Sequence, residues 1–264
     1  MRLARIYVHP IKSTQGIPLQ RAELDALGLR HDRRWMLVDA EGTFLSQRAL
    51  PEMTLISPSF SGDTLRVSAP GMPDLSLPLH PPESGERLPV SIFGDELLTA
   101  PAGDEADRWF ASFLGVDCRL VYMPGEAVRP VDPRYAASTD RVGFADGFPL
   151  LMFSEASLED LNSRLPEPVS ERRFRPNLLI SGCEPFAEDG WQRLRIADVS
   201  LRVAKPCARC TIPTVDPKTA VKGKEPLRTL NEYRKAGPEV MFGQNLAHDG
   251  VGELRVGDAV EVLA

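Results

Sequence analysis

With 264 residues, 42% of them hydrophobic and 26% charged, the chain is long enough for one sizeable core or two smaller ones. No stretch approaches the roughly 18 apolar residues of a membrane helix, so a soluble protein with no membrane partner is expected. The net charge of −6 excludes partners that demand a general excess of Lys and Arg, nucleic acid above all, and confines any anion site to a local cluster.

At the amino terminus Leu3, Ile6 and Val8 begin to alternate almost at once, which predicts a first strand and leaves no room for a secretory signal. Residues 1 to about 100 read as short strands separated by turn dipeptides, Glu41-Gly42, Gly62-Asp63 and Gly94-Asp95, the pattern of an antiparallel barrel or sandwich. The proline-rich stretch Pro70 to Pro89 is expected to be an irregular excursion or edge hairpin of that unit. Asp104 is placed to cap a helix in which Ala106, Trp109, Phe110, Phe113 and Leu114 recur at helical spacing, with Gly115 ending it. A strand follows over Arg119 to Met123, and the division between units is set there, giving 1–119 and 120–264.

In the second unit a helix opens at Ser154, with Leu158, Leu161 and Leu165 on one face, and another opens near Pro226 with Leu227, Leu230 and Tyr233. Val199 to Ala204 reads as a strand. Glu253 to Leu263 read as two short strands around Val256-Gly257-Asp258.

Four cysteines, Cys118, Cys183, Cys207 and Cys210, are too few for a disulfide scaffold in a chain of this length, so free thiols in a reducing, cytoplasmic setting are expected. Cys207 and Cys210 form the only close pair, within Lys205-Pro-Cys-Ala-Arg-Cys-Thr-Ile-Pro-Thr-Val-Asp-Pro217. A structural zinc site lacks ligands, because there is no second such pair and the four histidines (His9, His31, His80, His248) are scattered. A thioredoxin-type pair belongs at a helix start, whereas this one follows a strand and precedes Ile212-Pro213. Two readings stay open on residue chemistry alone: idle packing thiols, or one thiolate on a soft metal centre with the Arg209 cation beside Cys210 favouring ionised sulfur.

The segment with its Thr-Val-Asp-Pro continuation resembles the metal-binding segment of MOSC domains, in particular their amidoxime-reducing branch. His9-Pro-Ile-Lys-Ser13, Gly28-Leu-Arg with Asp32-Arg33-Arg34-Trp35, Ser154 to Asn162, Phe174-Arg-Pro-Asn177, Ser181-Gly-Cys183 and Phe242-Gly-Gln244 are similar to segments of that branch, in the same order. The resemblance implies an α+β, β-rich fold: an antiparallel β-barrel MOSC core, an N-terminal β-barrel unit and a few short helices. It also implies a molybdenum cofactor, a phosphorylated pyranopterin dithiolene whose metal is bonded by Cys210 rather than Cys207.

The same resemblance places Lys12, Ser13, Arg33 and Arg175 at the cofactor, as donors suited to a phosphate, and Asn177 at a pterin edge. Ala208 and Arg209 would touch it through backbone amides, with the Arg209 side chain as a further candidate contact. Asp146-Gly-Phe148 aligns with a pterin-lining loop, but Phe148 stands where the family has a small polar residue. Cys183 and Cys118 are read as packing, as are His9 and His31, and Asp216-Pro217 as a turn. Taken singly, Lys12, Arg33 and Arg175 are ordinary surface charges; the ordered set of motifs gives them their role.

The activity implied is reduction of N-oxygenated small molecules (hydroxylamines, amidoximes and N-hydroxylated bases) to amines or amidines. The chain has no cysteine beyond Cys210, so no carboxy-terminal iron–sulfur domain is expected and electrons must come from a separate flavin, haem or iron–sulfur partner. Two other readings stand beside this one: a cofactor carrier or sulfur-transfer protein using Cys210, and a non-enzymatic β-barrel interaction module.

Overall fold

The first strand forms over Arg2–Val8 and buries Leu3, Ile6 and Val8, as the alternation requires. One of its partners lies far away in sequence: it pairs antiparallel with Leu178–Ser181 on one side and with the nearby Ile17–Leu19 on the other. The amino terminus is thereby an inner member of a nine-stranded sheet built chiefly from the second half of the chain. The sheet runs on through Leu150–Ser154, Glu239–Asp249, Val199–Ala208, Arg193–Ile196 and Val260–Val262. All its pairings are antiparallel except that of Leu150–Ser154 with Leu178–Ser181, whose connection carries the helix Glu155–Arg164.

This computed structural model, which describes residues 1–81 and 85–263, is strand-rich, with 39% strand against 17% helix, and its antiparallel sheets are curled. Residues 82–84, in the stretch expected as an irregular excursion, lie outside the described residues. On either side of them Leu75–Pro78 pairs with Thr64–Ser68, and Leu88–Ile92 pairs with Asp95–Pro101.

Arg119–Tyr122 pairs with Trp35–Val38 and with Asp95–Pro101, so the strand just past the expected division completes the N-terminal sheet. Alternation explains its value there. Leu120 points into a core with Trp109, Phe110 and Met53, while Val121 points the other way, to Met36, Val90 and Phe144. The two terminal strands also form, over Gly252–Arg255 and Val260–Val262, but not as a hairpin: the former pairs with Arg21–Asp25 and the latter with Arg193–Ile196.

The first helix spans Asp104–Leu114 and buries Ala106, Trp109 and Phe110, and Gly115 at φ 69° ends it by donating to the Ala111 carbonyl. Asp104 does not cap it. Gly103 holds the cap position, and the Asp104 carboxylate stands exposed in the first turn, where it complements the helix dipole. Asp107 accepts from the Leu120 N–H at 2.8 Å and so ties this helix to its strand.

Ser154 does cap the helix Glu155–Arg164, accepting from the Ser157 N–H at 3.1 Å. The buried Glu188 carboxylate takes both the Ser154 N–H and the Ser157 hydroxyl. Leu161 and Leu165 pack with Phe153, Phe174, Phe242 and Leu230, the last from the helix Leu227–Tyr233. Urea unfolding is predicted to show Leu161→Ala, at a fully buried position, less stable by about 2–5 kcal/mol, against about 1 kcal/mol for Ser154→Ala; equal effects would contradict this packing.

Candidate functional site

The strand expected over Val199–Ala204 continues to Ala208 and carries Cys207. Pro206 has no N–H for the ladder, and the register with Glu239–Asp249 shifts between Pro206 and Ala208. The chain then leaves the sheet, so that Cys210 sits half-buried between the strand end and the short 3-10 turn Ile212–Thr214. The turn expected at Asp216-Pro217 follows. Asp216 accepts from the N–H groups of Lys218 and Thr219 and pairs with Arg173 at 2.8 Å.

Lys12, Ser13, Arg33, Asp146, Phe148, Arg175, Asn177, Ala208, Arg209 and Cys210 come together on the lining of one cleft. Its walls carry five cations (Lys12, Arg33, Arg173, Arg175 and Arg209) and a single carboxylate, Asp146. Carboxylates beside the cleft offset part of this charge: Asp32 pairs with Arg33, and Asp216 with Arg173. Among the described residues, Arg175 and Arg209 have no carboxylate partner, which leaves the cleft positive in an acidic protein.

Lys12 is 4% exposed and donates to the Phe144 carbonyl at 2.9 Å and to Asp146 at 2.5 Å, with its ammonium over the Phe93 ring. Burial lowers its pKa to about 8, against the opposing pull of Asp146. Surrounding protein pushes the Asp146 carboxyl the other way, although its side chain stays 62% exposed, and the charge and hydrogen bond of Lys12 outweigh that push and hold Asp146 at about 2. Burial and the neighbouring Arg33 charge likewise bring Arg175 down to about 9, so it stays cationic at neutral pH.

Three of these residues, Ser13, Arg33 and Arg175, have φ of 65°, 47° and 55°, the left-handed region that side chains other than glycine seldom adopt. Their surroundings hold them there. The Arg33 N–H donates to the His9 carbonyl, its carbonyl accepts from Phe144, and its guanidinium donates to Asp32, Asn177 and the Arg175 carbonyl. The Arg175 guanidinium donates to the Thr14 carbonyl, and the Ser13 carbonyl accepts from the buried Gln47.

Two residues reach the cleft with most of their polar groups already engaged. Asn177, 1% exposed, accepts from Arg33 and from the Leu151 N–H and donates to the Tyr7 carbonyl, so its side chain chiefly positions Arg33. The Arg209 amide donates to Val240 within the sheet and is not free for a ligand. Its guanidinium donates to the carbonyls of Phe242 and Phe174, while one terminal nitrogen is buried without a partner. Gly243, at φ 78°, makes this approach possible, since a Cβ there would lie 2.7 Å from the Met152 carbonyl and 3.3 Å from that nitrogen.

Phe148 lines the cleft and packs edge-on against Tyr135, making an aromatic wall where a small polar side chain would leave none. Cys207 lines it too, but burial raises its thiol pKa and disfavours the thiolate. Cys118 is buried in the N-terminal core, its pKa raised to about 11 by burial, and Cys183 packs against the large sheet. His9 is buried near Arg33 and its ring is held neutral by burial and that charge, while its backbone N–H donates to Asp32. His31 packs at a tilt against the rings of Phe60 and His80.

The sequence reading missed Arg173 and Asn245, which lie beside the Phe174 and Phe242 motifs. It also missed Arg129, 3% exposed, which clamps the cleft loop through the carbonyls of Gly143, Ala145 and Asp146 while pairing with Asp95. Among the described residues no three His, Cys, Asp or Glu side chains gather as a metal cage. No described helix is long and apolar enough to cross a membrane.

The Lys12 charge has a measurable signature. Below pH 8 the ammonium is protonated and adds to the field of the cleft; above it the charge is lost. Sulfate, fully ionised throughout, is predicted to bind the protein more weakly as pH rises through about 8, as read by titration calorimetry. That inflection should vanish in Lys12→Gln, and a flat wild-type profile would contradict the assignment.

The profile of the MOSC N-terminal beta barrel domain matches residues 1–117, and that of the MOSC domain matches residues 139–261. The chain is 40% identical to mitochondrial amidoxime-reducing component 1 of Mus musculus, covering 99% of this chain and 82% of the mouse protein. It is 38% identical to the Homo sapiens component 1, with the same coverage. It is 36% identical to component 2 of Rattus norvegicus, over 98% of this chain and 82% of that one. With both profiles matched in order and these relatives aligned over nearly its whole length, the chain belongs to the MOSC family, with a MOSC N-terminal β-barrel domain preceding the MOSC domain.

Proposed function

We propose that this protein is a molybdenum-cofactor-dependent reductase of N-oxygenated small molecules, converting hydroxylamines, amidoximes or N-hydroxylated bases to amines or amidines. The observation that carries the reading is the meeting of Cys210 with Arg33, Arg175 and Lys12 on one cleft, from segments up to 198 residues apart. The names of the relatives, amidoxime-reducing components, support the choice of reaction.

The residues fit the group. A phosphorylated pterin needs cationic donors at one place and a thiol at another, and the cleft offers both, with Arg175 unpaired by any described carboxylate and an Arg209 nitrogen buried without a partner. Arg33, Arg175, Lys12 and Ser13 would hold its anionic end, Phe148 and the Asp146 loop would flank its ring, and the Cys210 thiolate would bond the metal. When bound, the cofactor supplies the two-electron redox chemistry.

The chain's own residues bind, orient and exclude. The Arg33 guanidinium is fixed by Asp32 and Asn177 before any ligand arrives, so little reorganisation is needed on binding. Reduction of R–NHOH to R–NH2 and water consumes two electrons and two protons. Asp146 is ionised at neutral pH and paired to Lys12, so it has no proton to give, and the protons come from solvent at the open mouth. The electrons come from a separate donor protein carrying flavin, haem or iron–sulfur. A cytoplasmic location belongs to the same proposal, supported by four free thiols.

The test uses protein made with cofactor biosynthesis intact. Wild type is expected to hold about one molybdenum per chain and to reduce benzamidoxime with an artificial electron donor. Cys210→Ser should lose turnover by at least about a hundredfold, more than outer-shell changes usually cause. Molybdenum bound without turnover in wild type would favour a carrier or sulfur-transfer role, and its absence would favour a simple interaction module.

A further inference from the structure

Beside the Cys210 cleft lies a second and larger cavity, of roughly 500 Å³, lined by residues of the N-terminal unit and of the Arg172–Arg175 segment. Arg173, Arg175 and Ile212 line both spaces, so a ligand in one adjoins a ligand in the other. Four cations line the second cavity (Arg172, Arg173, Arg175 and Lys218) and no carboxylate does. Arg173 is paired with Asp216, outside the lining, but Arg172, Arg175 and Lys218 have no ion-pair partner among the described residues. Neutral donors and acceptors complete the wall, including Gln15, Gln47 and Ser170.

Such a concentration of unpaired positive charge is unexpected in a chain of net charge −6. Arg172 and Lys218 are exposed to solvent and line no part of the Cys210 cleft; Arg172 lies over the Tyr7 ring at 5.9 Å, a contact that leaves its charge without a carboxylate partner among the described residues. Arg172 reaches the wall because Ser170 caps the short turn Glu171–Phe174, and Lys218 because the Asp216 turn directs its N–H onto the carboxylate.

Resting on the reductase reading above, we infer that this cavity is an anion subsite for substrate, and that the preferred substrate is an N-hydroxylated compound carrying a phosphate rather than its uncharged counterpart. The N-oxygenated end enters the Cys210 cleft while Arg172 and Lys218 hold the phosphate through charge-assisted hydrogen bonds. Arg173 and Arg175 lie between the two.

The experiment compares wild type with Arg172→Gln/Lys218→Gln, both produced with the cofactor. Substrates are 6-N-hydroxylaminopurine and its ribonucleoside 5′-monophosphate, reduced with an artificial donor, and adenosine 5′-monophosphate binding is measured in parallel by calorimetry. Wild type is expected to show a lower KM for the monophosphate than for the base. The double variant should raise the monophosphate KM by about tenfold or more, leave the base KM within about twofold, weaken adenosine 5′-monophosphate equally and keep its pterin content.

Equal loss for both substrates, no wild-type preference for the monophosphate, or a variant purified without pterin would overturn the subsite, the last because the cavity would then serve the cofactor's own phosphate. If neither substrate is reduced yet adenosine 5′-monophosphate binds in a manner dependent on Arg172 and Lys218, the anion subsite stands and the reductase reading fails.

Discussion

Everything in this molecule is arranged around cations that have been taken out of water. An ammonium or guanidinium moved into a protein interior is disfavoured by several kcal/mol, and only well-placed partners offset that. Lys12 is 4% exposed and Arg33 9%, and each has one carboxylate and at least one carbonyl or amide oxygen in contact. Arg175 has only a carbonyl. The compensation is incomplete, and what remains is a cleft whose field favours an anion.

The partners come from the whole chain, and that dictates the fold's unusual connectivity. Arg2–Val8 must lie beside Leu178–Ser181 for Asn177 to reach both the Tyr7 carbonyl and the Arg33 guanidinium. Arg129 must cross to the loop at Gly143–Asp146 so that Phe144 and Asp146 can meet Lys12. The strand bearing Cys207 must end at a bulge so that Cys210 turns out of the sheet toward the same space. Ser13, Arg33 and Arg175 hold strained backbone at the points where these segments converge. Packing elsewhere, such as the cluster of Phe153, Phe174 and Phe242, over-determines that arrangement.

The parts of this that were legible in the sequence share a local cause. Trp109 and Phe110 at helical spacing before Gly115, and Leu161 and Leu165 after Ser154, announce helices because periodicity and caps act within a few residues. Ordered short motifs gave the cleft residues because each motif is a contact segment. Non-local facts were hidden: that Arg2–Val8 joins the large sheet, that Arg119–Tyr122 belongs with Trp35–Val38, and that the last two strands part company. Side-chain engagement was hidden too. Asn177 and the Arg209 amide look like free donors in the sequence, yet both are held by the protein, and the cationic cavity at Arg172 and Lys218 appears only when two distant turns meet.

The central claim is that the Cys210 sulfur bonds a metal held in a cationic pterin site. Molybdenum X-ray absorption on the purified protein tests it most directly, by counting sulfur neighbours of the metal. A pterin dithiolene contributes two, so the account predicts three in wild type and two in Cys210→Ser, with Cys207→Ser still at three. An unchanged count on removing Cys210, or a loss on removing Cys207 instead, would contradict it.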